Sequence, residues 1–392
     1  MNTVKQQEFF DAAMSGQNIY LSGKAGTGKS YITKAVIEAL IKAGKKIIAV
    51  APTGVAANNI GGATIHSTFG IAPYGICNFD SVNKLRSEKR RLLKKVETIF
   101  IDEVSMLRPD LLDAIHWSLI KAGIEGGLRK KQVIFVGDLK QLPPILSDND
   151  RAVLYQQYDG ETFFEADIFK NISVLQIELD EVMRQSDIEF ITNLNIIRDG
   201  GKSEYFRQFL HTEPKGIILA PHNATVKTYN DKGLAEQPGK ELTFEAKVSG
   251  NAKADEFNVE QVIKVKHGCK IMYLANSRNN PLVNGTLGTF INGGDKHFIK
   301  VGEVNYALEP MEFTKMEYVY DATEDKLKLQ EIGKISQYPF KLAYALSIHK
   351  SQGLTFDEVT IDLSRPCFQK GQMYVAISRV KGPAGLRILV NR

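Results

Sequence analysis

Gly23-Lys24-Ala25-Gly26-Thr27-Gly28-Lys29-Ser30 fits G-x-x-x-x-G-K-[ST], the pattern of a phosphate-binding loop. Its flanks are the ones the pattern needs. Asn18-Ile19-Tyr20-Leu21-Ser22 reads as a strand entering the loop, and Tyr31 to Ala43 carries Ile32, Ala35, Val36, Ala39 and Leu40 at helical spacing. Glycines let backbone N–H groups turn inward around a phosphate, and the helix that follows adds the positive end of its dipole. Gly23, Ala25, Gly26, Thr27, Gly28, Lys29, Ser30 and Tyr31 are therefore the expected nucleotide contacts. Lys29 would reach the β and γ phosphates, and Ser30 would ligate Mg²⁺.

Outward from the loop, strand and helix signals alternate. Lys45 to Ala51, Thr98 to Ile101 and Gln132 to Val136 are buried-type strands, with helical segments near Val55 to Ile60 and Pro109 to Lys121. Repeated units of this kind imply an α/β fold with a parallel sheet covered on both faces. A second set follows: strands at Gly216 to Ala220, Val359 to Leu363 and Leu386 to Val390, and a helix near Gln369 to Val380. Between Leu242 and Pro339 the texture changes to short alternating runs separated by Asn284-Gly285, Asn292-Gly293-Gly294 and Glu309-Pro310, which reads as a small all-β insertion. Another short insertion lies between Gly70 and Lys95.

Composition sets the bounds. With 392 residues, 43% hydrophobic and 24% charged, the chain is long enough for two or more domains of ordinary globular character. No apolar run approaches a membrane span, and Met1 to Phe10 lacks the character of a secretory or transit segment. Cys77, Cys269 and Cys367 are scattered without paired spacing, which points to a reducing compartment and away from a disulfide framework or zinc site. A net charge of +5 permits a polyanionic partner without demanding one.

A phosphate-binding loop needs a carboxylate for its metal. Ile99-Phe100-Ile101 ends in Asp102-Glu103, so Asp102 is the expected Mg²⁺ ligand and Glu103 the acceptor of a proton from attacking water. The next strand ends in Gly137-Asp138-Leu139-Lys140-Gln141-Leu142-Pro143-Pro144, where Gln141 is a polar neutral group suited to reading a γ-phosphate. Two arginines of the second half, Arg184 and Arg379, are candidates to stabilise charge on that phosphate; the run around Arg379 is otherwise apolar. Several strand-end loops suit a nucleic-acid backbone better than a nucleotide: Pro52-Thr53-Gly54, Thr64 to Phe69, Pro221-His222-Asn223 and Ser347 to Gly353. Their hydroxyls and amides fit phosphates, and His66, Phe69 and His349 offer rings for bases. The run Lys84 to Lys95 carries seven cations against one acid, and reads equally as a phosphate-facing helix or a solvated surface.

In this order and spacing the segments resemble the Pif-one (petite integration frequency) family of superfamily-1B DNA helicases, relatives of RecD, from about Gln6 to Leu389. The matching stretches are Gly23 to Ser30, Ala51 to Ala57, Thr64 to Gly70, Asp102 to Met106, Gly137 to Pro144, Leu179 to Gly200, Val283 to Gly288, Leu342 to Gly353 and Gln372 to Val380. The resemblance implies two RecA-like P-loop domains with ATP in the cleft between them. The first would span 1–180 with a small wedge insertion at about 70–95, the second 181–241 and 340–392, with a small Src-homology-type β-barrel inserted at 242–339. It implies that Lys29, Glu103, Gln141, Arg184 and Arg379 act in catalysis and that Ser30 and Asp102 hold Mg²⁺. Gln6 would read adenine, with Gln7 the alternative, and Gly353 would join the nucleotide set. Pro52, Thr53, Gly54, Thr64, His66, Phe69, Pro144, His222, Asn223, His349 and Lys350 would line a single-strand track.

The implied activity is ATP-dependent 5′→3′ movement on single-stranded DNA, with unwinding of forked duplex or quadruplex DNA by a cytoplasmic monomer. Gly123 to Lys131 departs from the family by lacking its Pro-Phe pair, which suggests a bacterial or phage-encoded branch. The rival readings are a superfamily-1 RNA helicase or relaxase motor, and a nucleic-acid-binding ATP switch with little turnover.

Overall fold

The computed structural model describes residues 3–72, 75–144, 146–181, 187–275, 280–321, 323–324 and 326–390, with the backbone alone at 55 and 255. The chain divides into two compact units, Met1–Arg184 with Lys315–Ile332, and Gln185–Thr314 with Gly333–Arg392. No helix among the described residues is long and apolar enough to cross a membrane.

The first unit is built on parallel strands β1 (Ile19–Gly23), β2 (Ile47–Ala51), β3 (Ala63–Thr64), β4 (Thr98–Ile101), β5 (Gln132–Val136) and β6 (Leu175–Leu179), in the order β3-β2-β4-β5-β1-β6. Its central strands are almost wholly apolar because both faces are covered. The two-residue period decides which core each side chain joins. Ile48, Val50, Ile99, Ile101, Val133 and Phe135 enter one, while Ile47, Ala49, Phe100, Ile134 and Val136 enter the other. Since all strands point the same way, the loops leaving β1, β2, β4 and β5 gather at one edge, where ligands of open α/β sheets bind.

Helices α1 (Val4–Met14), α2 (Lys29–Lys42), α3 (Gly54–Ile60), α4 (Ile65–Phe69), α5 (Ser87–Lys95) and α6 (Pro109–Lys121) complete the part used below. Helix α2 starts at Lys29, inside the phosphate-loop motif and two residues before the apolar periodicity begins. Strand β2 starts at Ile47 rather than Lys45, whose ammonium turns outward to the Glu97 carboxylate at 2.9 Å.

The second unit holds a parallel sheet of Ala345–Ser347, Ile217–Ala220, Val359–Asp362 and Leu386–Leu389, in that order. It also holds an antiparallel sheet of Val304–Leu308, His297–Val301, Leu287–Asn292, Lys270–Tyr273 and Phe340–Leu342 over a core that includes Ile271, Phe290, Ile299 and Phe340. Two long strands, Met311–Asp321 and Lys326–Gln337, lie side by side, and their segment Lys315–Ile332 groups with the first unit. The physical reason lies at the edge of β2. Strand β3 pairs only with Val50 and Ala51, so the Ala49 N–H needs another acceptor, and it donates to the Tyr318 hydroxyl at 3.0 Å. Lys89 pairs with Glu317 beside it, and the Lys95 ammonium lies 5.3 Å from the Tyr320 ring centre.

Candidate nucleotide and nucleic-acid site

The phosphate loop leaves β1 and turns through Gly26 and Gly28, both at φ near +80° (83° and 82°), a region that L side chains rarely adopt. Gly28 is the N-cap of α2 and no side chain caps that helix, so its first amides face the loop. Gly23 admits no Cβ, which would stand 2.8 Å from the Leu179 carbonyl oxygen on β6. The Lys29 ammonium donates to the carbonyls of Gly23 at 2.6 Å and Lys24 at 3.0 Å, which folds it over the loop. The Thr27 hydroxyl donates to the Lys24 carbonyl at 2.9 Å. Ser30 and Tyr31 are exposed on the first turn of α2, whereas Ala25 is partly covered.

Gln6 and Gln7 part company here. Gln6 is buried; its amide nitrogen points at the Thr27 carbonyl at 3.5 Å and its amide oxygen accepts from the Thr3 N–H. Gln7 faces outward and bonds Asp11 at 2.9 Å. The Thr3-x-x-Gln6 capping box that fixes this register is itself a sequence pattern.

At the end of β4, the Asp102 carboxylate accepts from the Glu103 N–H at 2.9 Å. Burial raises the Asp102 pKa well above the usual carboxylate range, the Glu103 charge adds to that, and Lys29 and Lys34 pull it back. Glu103 itself sits at φ 51°, a left-handed conformation uncommon for a glutamate and of the kind held at functional sites. After β5, Gly137 passes so close to the next segment that a Cβ would lie 2.9 Å from the Val104 backbone nitrogen. That proximity ties the Gln141 loop to the one carrying Asp102. Gln141 and Pro144 are buried.

The strand-contact expectations divide. The Thr53 hydroxyl accepts from the Ala56 N–H and the Thr64 hydroxyl from the Ser67 N–H, both at 3.2 Å, so both threonines are helix caps. Pro52, Thr53, Gly54, Thr64 and His66 remain partly accessible. Burial, followed by the Arg108 guanidinium, lowers the His66 pKa, so its ring is neutral at neutral pH. Phe69 departs from expectation. It is 0% exposed, because the single turn of α4 directs it into the core that also holds Ile65, Leu85 and Leu92, and it presents no face to a base.

In the second unit, three loops leave the parallel sheet at one edge. His222 follows Ile217–Ala220, His349 follows Ala345–Ser347, and Phe368 follows Val359–Asp362. The Phe368 ring lies 5.0 Å from His222 and 6.2 Å from His349, the latter nearly parallel at 24°. Phe368 is 63% exposed, a large aromatic that sequence reasoning did not single out. Its signal is an aromatic in a strand-end loop, the same kind that drew attention to Phe69. His222 contacts the Pro366 carbonyl and His349 the Gln369 amide oxygen, both at 3.0 Å. Asn223, Lys350 and Gly353 are exposed nearby in sequence, Gly353 with φ 81°.

Arg379 is 2% exposed and held by its own unit. Its Nε donates to the Val375 carbonyl at 2.9 Å, one terminal nitrogen to the Leu354 carbonyl at 3.2 Å, and the other to the Ser378 hydroxyl at 2.7 Å. Arg184 lies outside the described residues.

Comparison with known proteins gives the family and the fold. The family description "PIF1-like helicase" matches residues 2–207. The chain is 30% identical to the ATP-dependent DNA helicase Pif1 of Campylobacter jejuni, over 95% of this chain and 88% of that protein. It resembles the crystal structure of Bacteroides sp Pif1 in complex with ADP-AlF4, with a TM-score of 0.87 at 32% identity, covering 99% of this chain and 92% of that one. A second structure, described as DNA unwinding at forked dsDNA by two coordinating Pif1 helicases, matches at TM-score 0.71 and 32% identity with the same coverage.

Proposed function

That this chain belongs to the PIF1-like helicase family, and is an ATP-dependent DNA helicase with DNA-stimulated ATP hydrolysis, is the premise from which we propose roles for its residues. Gly23 to Ser30 cradle the phosphates of ATP, Lys29 exchanging its loop carbonyls for phosphate oxygens, and Gln6, rather than Gln7, reads the adenine. Glu103 takes the proton of the attacking water, and Gln141 senses the γ-phosphate. Arg379 and Arg184 supply positive charge to the transition state. Ser30 and Asp102 would hold Mg²⁺; both offer oxygen donors suited to a hard cation, and a cation would relieve the raised proton affinity of Asp102. When bound, that ion neutralises phosphate charge.

The single-strand track comprises Pro52, Thr53, Gly54, Thr64, His66, Pro144, His222, Asn223, His349 and Lys350. Phe368 joins it, and Phe69 supports it from the core. Movement is 5′→3′, on forked or quadruplex substrates, by one copy of the chain in the cytoplasm. The insertion at 70–95 acts as the wedge, and the antiparallel sheet of the second unit as the small barrel. The observation that carries the nucleotide assignment is the Lys29 ammonium folded over the loop carbonyls beside the Asp102–Glu103 pair.

ATP turnover with and without single-stranded DNA tests it, together with unwinding of forks that carry a 5′ or a 3′ tail. Lys29→Ala and Glu103→Gln should each lower turnover by about 10²–10³ while the protein stays folded, the loss seen when one transition-state stabiliser is removed. Unchanged turnover in both would refute the site. A requirement for a 3′ tail would refute the polarity, and stronger stimulation by RNA than by DNA would favour the RNA-motor reading.

A further inference from the structure

A cavity of about 500 Å³ lies at the end of the first unit's sheet away from the phosphate loop, lined by the end of α1, the end of α5 and the starts of β4 and β5. Among the described residues, Lys45, Lys94, Lys95, Lys130 and Lys131 line it against one carboxylate, Glu97. Strand β4 runs from Thr98 at this cavity to Ile101, next to Asp102 at the nucleotide end, so about 13 Å of strand separates the two. The cavity is therefore not part of the ATP site. Lys131 is buried at its inner wall, where its ammonium donates to the carbonyls of Val96 and Lys94 and closes the last turn of α5.

A row of cations leads to the cavity. On α5 and its N-cap, Arg86, Arg90 and Lys94 recur every fourth residue, so they share one face about 6 Å apart, and all three are exposed. Leu92 and Leu93 are buried on the other side. Like charges at this spacing destabilise a helix by about 0.2–0.5 kcal/mol per pair, so folding alone does not account for the row. Its course is informative. Near its start, the Lys89 ammonium donates to the Ser67 carbonyl on α4, in the loop proposed for the single strand, and at its end α5 reaches the cavity. The row thus runs from the strand-contact loops to the far side of the sheet.

We propose that the row and the cavity hold the phosphate backbone of the duplex portion of the DNA substrate, the part that lies outside the single-strand track. Duplex DNA presents one negative charge per about 1.7 Å of its axis, a dense match to the exposed Lys94, Lys95 and Lys130 together with Arg86 and Arg90. Such backbone interactions position the duplex without reading its sequence.

Lys94→Gln/Lys130→Gln and Arg90→Glu/Lys94→Glu test this, each in the full chain, by fluorescence anisotropy across a salt titration. One oligonucleotide is single-stranded, and the other is the same strand bearing a duplex arm. For the glutamine pair, the slope of log affinity against log salt on the duplex-bearing substrate should fall by about 2, near 0.9 for each phosphate no longer neutralised. Single-strand affinity and single-strand-stimulated ATP turnover should stay unchanged. The glutamate pair should weaken binding further on the duplex-bearing substrate; if it fails to fold, the glutamine pair decides. An unchanged slope on duplex DNA, or an equal weakening on the single strand, would overturn the proposal. Absence of single-strand-stimulated turnover in the unaltered protein would instead count against the helicase activity itself.

Discussion

Phe368→Ala should weaken single-strand binding while barely touching stability. The ring is 63% exposed, so truncation forfeits little more than a third of a phenylalanine's burial. Full burial is worth about 1.5–3 kcal/mol, which puts the cost to the fold near 1 kcal/mol or below, including the packing against His222 and His349. A base stacked on an aromatic side chain contributes about 1–3 kcal/mol, so affinity for a single strand should fall about 5- to 150-fold. The assay is anisotropy of a labelled oligonucleotide, with a control strand carrying abasic sites and urea denaturation to follow stability. Phe368→Trp should preserve affinity, because it keeps a stacking face. Unchanged binding in Phe368→Ala would refute the reasoning, as would the same loss on abasic strand, since the ring would then act on loop geometry and not on bases.

Lys341, 4% exposed and bonded to Asn258 at 3.1 Å, has its pKa lowered to about 7 by burial and then by Lys350, against a raising effect of Glu260. Between pH 7 and the ordinary lysine range the unfolded chain binds the extra proton, so stability should rise with pH there by up to about 1.4 kcal/mol per unit. Lys341→Met should flatten that slope in denaturation curves taken from pH 6 to 10; an unchanged slope would contradict the assignment. Gln6→Ala should raise the KM for ATP about tenfold, the loss of one good hydrogen bond, while Gln7→Ala leaves it unchanged; the reverse order would move the adenine contact. Phe100→Ala, at a fully buried site in one of the two sheet cores, should cost about 3–5 kcal/mol in urea denaturation, and a cost under 1 kcal/mol would contradict its place there. Arg379→Lys should lower turnover and single-strand affinity together; a loss confined to turnover would separate the two.

What could be read from the sequence was what local pattern controls. Central strands such as Ile47–Ala51 and Thr98–Ile101 are continuous apolar runs bounded by polar residues, and the parallel sheets follow from their alternation with helices. That Gln6 and not Gln7 lies on the buried side of α1 is also written locally, since Thr3-x-x-Gln6 is a capping box. Phe69 and Phe368 were not distinguishable by pattern, since each is an aromatic in a strand-end segment. One is buried in the core of the first unit and the other stands between two histidines, which depends on neighbours distant in sequence. The course of the long strands was hidden for the same reason. The alternation of Met311–Asp321 specifies a strand, but the partner of its Tyr318 hydroxyl is the edge of a strand 269 positions away.

Arg379 shows how local and distant information combine. An arginine among Val375, Ile377 and Val380 stands out in sequence, and a buried guanidinium must direct its donors to acceptors. The acceptors it meets include the carbonyls of Ser351 and Leu354, which bracket Gln352 and Gly353 and immediately follow His349-Lys350. The guanidinium therefore braces the loop proposed to hold the single strand. If it serves a phosphate during turnover, it must give up some of these carbonyls, and the brace loosens as it does so. One side chain would then be shared between the fuel and the strand. A lysine at this position keeps the charge but cannot bridge Val375, Leu354 and Ser378 at once, since it lacks the planar fork. Turnover and strand affinity are therefore expected to fall together in Arg379→Lys.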